Sequence, residues 1–187
     1  MLRRLGILTG VLTIVFAVGV RQVLGDGPAA RAIPVLTGVV GVGLVVAGIF
    51  PADPNAGFPP GSTPPAEATV AGWIHNLNLF PTWAALTAAM LCAAYRAARR
   101  REGPLWVLVT VAAGILTPVT MAVAARNFDM DTLTGAGHGL WQRISQAIGF
   151  GWYAVLATRL LAAPRWAAGR SRTRVVFPSS DGERARR

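Results

Sequence analysis

Apolar residues in this chain come in long uninterrupted blocks, and polar residues collect between them. Residues 5–20 carry no charge and are bounded by Arg3 and Arg4 on one side and Arg21 on the other. Sixteen residues make about 24 Å of helix, short of the ~30 Å hydrocarbon core of a bilayer. A crossing here therefore borrows residues 21–24 and lets the arginines reach back to the headgroups. A cleaved leader fits less well, because Arg21, Gln22 and Val23 do not make a small-residue cleavage site. Residues 32–52 are again uncharged. The glycines at 38, 41, 43 and 48 would weaken this helix in water but let helices approach closely in lipid, and Gly6 and Gly10 give the first block a GxxxG spacing of the same use. Pro51 and Pro54 then stop the segment, since proline lacks the amide donor a continuing helix requires.

Residues 51–67 hold six of the thirteen prolines and read as an irregular loop, either a lid over helix ends or a plain connector. A third block, 70–95, places His75, Asn78 and Thr82 on one face at i, i+3 and i+7. It ends in the basic run YRAARRRE at 95–102. The fourth block, 103–125, repeats Thr110, Gly114, Thr117 and Met121 along one face, with Pro118 expected to bend it. The fifth, 140–162, carries a polar stripe of His138, Gln142 and Ser145 with Arg143 beside it. The pattern predicts an all-α, multipass transmembrane bundle with five membrane helices at about 4–24, 32–51, 70–95, 104–126 and 139–162. It forms a single domain over residues 1–162, followed by a basic, disordered tail over 163–187.

Composition supports the membrane reading: 53% of residues are hydrophobic, 14% are charged and the mean hydropathy is +0.47, against about 25% charged in soluble domains. The net charge of +10 does not imply nucleic acid, because the arginines lie between the apolar blocks or in the tail. With five crossings, connections 21–31 and 96–104, Arg159 and the tail share one side, which holds fourteen arginines and four carboxylates. The opposite side holds four of each. The positive-inside rule then puts the C-terminus in the cytoplasm of a plasma-membrane protein and the two acid-and-histidine clusters outside. Cys92 stands alone, so no intrachain disulfide forms. Trp73, Phe80, Trp83, Trp106, Trp141 and Trp152 fall mainly toward block ends, where interfacial anchoring is their simplest role.

The candidate chemistry sits in those clusters: Asp53, His75 and Asn78 at the first, and Asp129, Asp131, His138, Gln142, Arg143 and Ser145 at the second. They are expected to meet around a shallow cleft floored by Gln142 and Ser145. Asp53 would cap a helix end with His75 as its partner, and Arg143 would pair with Asp129 or Asp131. No HExxH or compact ligand set occurs, so no metal and no cofactor are expected. No nucleophile is indicated beyond Ser145 by periodicity, and whether the protein is an enzyme stays open.

The GIFPADP at 48–54, the Gly72-to-His75 opening of the next helix and the GHGLWQR at 137–143 resemble the DUF998 family of prokaryotic membrane proteins. The likeness spans about residues 3–162. It implies a bundle of the six-helix kind from which this chain lacks the first helix, with the family pattern falling on Phe50, Pro51, Asp53, His75, His138 and Arg143. It implies no reaction. The expected role is structural fastening or binding of a small molecule or lipid headgroup, with membrane lipid as the partner, no nucleic acid, and an open oligomeric state. The alternatives are a membrane-embedded hydrolase acting on a lipid or amide, and a small-solute transporter.

Overall fold

The computed structural model describes residues 2–55, 59–129 and 134–162; the basic tail and Asp131 lie outside them. The chain is all-α, with α1 (Leu2–Leu24), α2 (Ala32–Ile49), α3 (Val70–Arg100), α4 (Pro104–Arg126) and α5 (His138–Ala162). From 18 to 31 residues each, they are about 27 to 46 Å long. The first four are long and apolar enough to cross a membrane. The fifth has the length, at 25 residues, but its first turns carry His138, Gln142, Arg143, Ser145 and Gln146.

Consecutive helices pack side by side, α1 on α2, α2 on α3, α3 on α4 and α4 on α5. The fifth also turns back on the others: Tyr153 meets Phe16 of α1 edge-on at 5.7 Å, and Gly149 receives the Leu86 side chain of α3. Much of the inward surface of α1 and α4 is small or hydroxylated, and many of their large apolar residues face outward. In α1 the buried stripe is Gly10, Thr13, Ala17, Val20 and Leu24, while Leu5, Leu8, Leu12, Val15 and Val18 are exposed. In α4 it is Thr110, Ala113, Gly114 and Thr117 that are buried, and Leu105, Leu108 and Val119 that are exposed. Lipid tails are as apolar as leucine, so inward positions are filled for close packing, not for escape from water.

The α1–α2 seam is the tightest case. A Cβ on Gly10 would stand 2.6 Å from the Gly41 carbonyl oxygen, and one on Gly41 2.9 Å from the Gly10 carbonyl oxygen. Buried threonines return their hydroxyl protons to their own helix, Thr13 to the Thr9 carbonyl, Thr37 to Ile33 and Thr120 to Leu116. That satisfies a polar group where no water is present. Of the tryptophans expected to anchor at the interface, Trp73 is exposed, but Trp106 and Trp152 are buried and stack in parallel at 6.5 Å. Trp152 Nε1–H donates to Thr110 Oγ1 at 3.3 Å.

Two helix ends differ from the sequence expectation. The α2 helix stops at Ile49 because Phe50, which precedes a proline, is extended. The α3 helix continues through the arginine run to Arg100 instead of ending near 95. Its guanidiniums find carbonyls in the α1–α2 connection: Arg96, only 5% exposed, donates to Leu24 and Pro28, and Arg100 to Asp26. Arg101 then takes a left-handed conformation and Glu102 N–H returns to the Ala97 carbonyl, closing the helix. Pro104 starts α4 at a position where its missing N–H costs nothing.

Candidate functional site

The polar residues near the junction of α2 and α3 are built into one turn. Phe50 leaves its carbonyl without an intrahelical partner, as the last carbonyls of any helix are left. The His75 ring, two turns into α3, reaches it at 2.9 Å through Nδ1. A carbonyl only accepts, so Nδ1 carries a proton, and in the neutral ring Nε2 is the acceptor. Arg3 of α1 donates to the neighbouring Ile49 carbonyl at 2.7 Å. Asp53 folds over the start of α3, accepting from Thr69 N–H at 2.9 Å and from the Thr69 hydroxyl at 2.5 Å. Thr69 Oγ1 in turn accepts from Gly72 N–H at 3.0 Å. A carboxylate here faces the positive end of the α3 dipole. Gly72 is needed because a Cβ would overlap the Asp53 carboxylate. Thr69 is therefore the cap of α3 and Asp53 holds it in place, while His75, the expected partner of Asp53, bonds elsewhere.

The second cluster is local. His138 Nδ1–H donates to the Gly135 carbonyl at 3.2 Å, and its ring lies on Phe128 at 4.7 Å. Asp129 N–H donates to the Thr134 carbonyl at 2.7 Å. The exposed Arg143 lays its guanidinium back toward Gly139 on its own helix. The expected pairing of Arg143 with Asp131 falls outside the described residues. The contacts of His75 run to α2 and those of His138 to its own loop, so the two histidines serve different structures. Among the described residues no three of His, Cys, Asp or Glu come together.

Between α2, α3 and the first half of α5 lies a partly open cavity of about 130 Å³. Its upper wall is Ala47, His75 and Gln142, and its floor is Val40, Leu86 and Phe150. His75, Asn78 and Thr82, on one face of α3 by spacing, all line it. Asn78 Nδ2 donates to the Gly43 carbonyl at 2.8 Å and Thr82 to the Asn78 carbonyl at 2.7 Å. This polar patch can abut α2 because residue 43 has no side chain; a Cβ there would overlap the Thr82 hydroxyl. Opposite stand Gln142 and Gln146, half-buried. Among the described residues neither amide has a hydrogen-bond partner. Ser145 is turned away, fully buried and donating to the Thr117 carbonyl of α4 at 2.7 Å.

Sequence reasoning reached Gln142 and missed Gln146, although the i, i+4 spacing of two amides on one helix was the available signal. It read Gly43 as a close-approach glycine without its partner Asn78, 35 residues away, and it missed the role of Arg96, whose Leu24 partner lies 72 residues away.

Neither a curated protein nor a solved structure matches the chain. A family model described as a protein of unknown function (DUF998) matches residues 1–159, from the start of α1 into the last turn of α5. With four apolar helices inside that match, the chain is a multipass membrane protein and belongs to the DUF998 family.

Proposed function

We propose that the protein is a five-span plasma-membrane protein that holds a small molecule or lipid headgroup in the cavity between α2, α3 and α5, with the α2–α3 turn and the cavity mouth outside and the C-terminus in the cytoplasm. The arginine-rich α1–α2 and α3–α4 connections support that orientation. α5 crosses as the fifth span because Trp152, Tyr153 and Leu156 are buried against the other helices, leaving its polar first turns to line the cavity.

The observation that carries the binding reading is the pair of Gln142 and Gln146 amides, half-buried at the cavity wall with no protein partner among the described residues. Both residues line the cavity, so water or a ligand there completes their donors and acceptors. By contrast, Asp53 and His75 already have partners in the turn and act as fasteners. From His75 to Leu86 is eleven residues of α3, about 16 Å, which takes the cavity to roughly the middle of a bilayer. Transport shares this half-path and requires in addition a passage below Leu86 and Phe150.

Native mass spectrometry of the protein released from its own membranes tests the reading. A co-purifying adduct on the wild type should disappear from the Gln142→Leu/Gln146→Leu double variant and persist in Ser145→Ala. An adduct-free wild type whose stability rises on the double substitution would refute it.

A further inference from the structure

The cavity also specifies the kind of group that fits it. We infer that its ligand is an uncharged polyol group of about glycerol size, either the headgroup of a neutral lipid or a free solute; this rests on the binding reading above.

The first argument is charge. Among the described residues the polar ones of the wall are His75, Asn78, Thr82, Gln142 and Gln146, and no carboxylate, arginine or lysine lines it. An ionised phosphate or ammonium taken from water into such a site finds no counter-charge, and its desolvation is not offset.

The second is the balance of donors and acceptors. Asn78 commits one amide proton to Gly43, and Thr82 commits its hydroxyl proton to the Asn78 carbonyl. With Nδ1–H of His75 on Phe50, Nε2 of the neutral ring is an acceptor. Gln142 and Gln146 each add an NH2 donor and a carbonyl acceptor. The open capacity is thus mixed, donors and acceptors together. A phosphate or carboxylate only accepts and an ammonium only donates, whereas each hydroxyl does both. Trp83 and Phe150, also in the wall, supply apolar surface for the C–H side of such a group.

The third is size. About 130 Å³ is close to the ~150 Å³ of a cavity that takes a benzene ring, and a three-carbon polyol has the same six heavy atoms.

The test uses the full chain in phosphatidylcholine nanodiscs, with three probes read by native mass spectrometry and by the shift in apparent Tm: dioleoylglycerol, free glycerol, and phosphatidic acid, which has the same backbone with an ionised phosphate. Dioleoylglycerol should bind and stabilise, at least tenfold more weakly in Gln142→Met or Gln146→Met, and with Ser145→Ala unchanged. Saturable glycerol binding without dioleoylglycerol binding, lost in the same variants, supports the same chemistry with a solute as its source. Binding of phosphatidic acid alone, abolished by those variants, would overturn the neutral-polyol inference while leaving the cavity as a binding site. If neither neutral probe binds the wild type, the inference is wrong. The cavity reading is then judged separately by whether a native adduct is lost on Gln142→Leu/Gln146→Leu.

Discussion

Replacing Gly10 by alanine adds one methyl group, and the α1–α2 seam has no room for it. The new Cβ would lie 2.6 Å from the Gly41 carbonyl oxygen and 2.7 Å from both the backbone nitrogen and a side-chain methyl of Val45. Ordinary contact begins near 3.4 Å, so the shortfall is about 0.8 Å. Two of the three atoms are backbone, so a rotamer change cannot relieve the overlap and the helices must part. Parting them also loosens the approach of Gly6 to the backbone of Gly48, where a Cβ would already stand at 3.3 Å. Overpacking of this size costs about 1–3 kcal/mol, while alanine favours the helix over glycine by up to about 1 kcal/mol. The net expectation is a loss of up to about 2 kcal/mol. Gly19 provides the control, since a Cβ there meets nothing within 4 Å, and Gly19→Ala should be neutral or slightly stabilising. Unfolding of each variant in mixed micelles, titrated with a denaturing detergent and followed by tryptophan fluorescence, measures the difference. If Gly10→Ala and Gly19→Ala agree within ~0.3 kcal/mol, the close seam is not what holds α1 to α2. Gly10→Ala combined with Gly41→Ala should cost less than the two apart, because one separation relieves both overlaps.

Asp53→Asn weakens the cap on α3 and should cost about 1 kcal/mol; Gly72→Ala displaces the same carboxylate, so the double variant should be no worse than the poorer single, and full additivity in the same titration would contradict the shared device. Arg96→Leu strips the Leu24 and Pro28 carbonyls of a buried donor and should cost on the order of 3 kcal/mol, whereas Arg99→Leu, at an exposed position, should stay within ~0.5 kcal/mol; equal effects would remove Arg96 from its fastening role. In a Cys92→Ala background, a membrane-impermeant thiol reagent applied to intact cells should label Pro60→Cys and not Arg99→Cys; the reverse pattern would invert the proposed orientation, and labelling of both would break it.

The sequence by itself determined that the chain forms apolar helices of membrane-crossing length and roughly where they stop. In lipid a helix satisfies its backbone internally, so the length and polarity of each block decide its structure without reference to partners. The same locality made the spacing of His75, Asn78 and Thr82 legible as one face, and made the run of Phe50, Pro51 and Asp53 legible as a helix stop followed by a turn. Only the tertiary structure decided what each polar group touches, because those partners belong to other helices. Asp53 holds the Thr69 cap of α3, while His75 passes it by and closes the end of α2. The α5 stripe shows the reason most plainly. At 100° per residue, His138, Gln142 and Ser145 fall within a narrow arc, yet Ser145 and Gln146 stand about 100° apart. The line along which α4 packs runs between them, so Ser145 is buried on the Thr117 carbonyl and Gln142 and Gln146 face the cavity. Periodicity defines the arc; the placement of the neighbouring helices divides it.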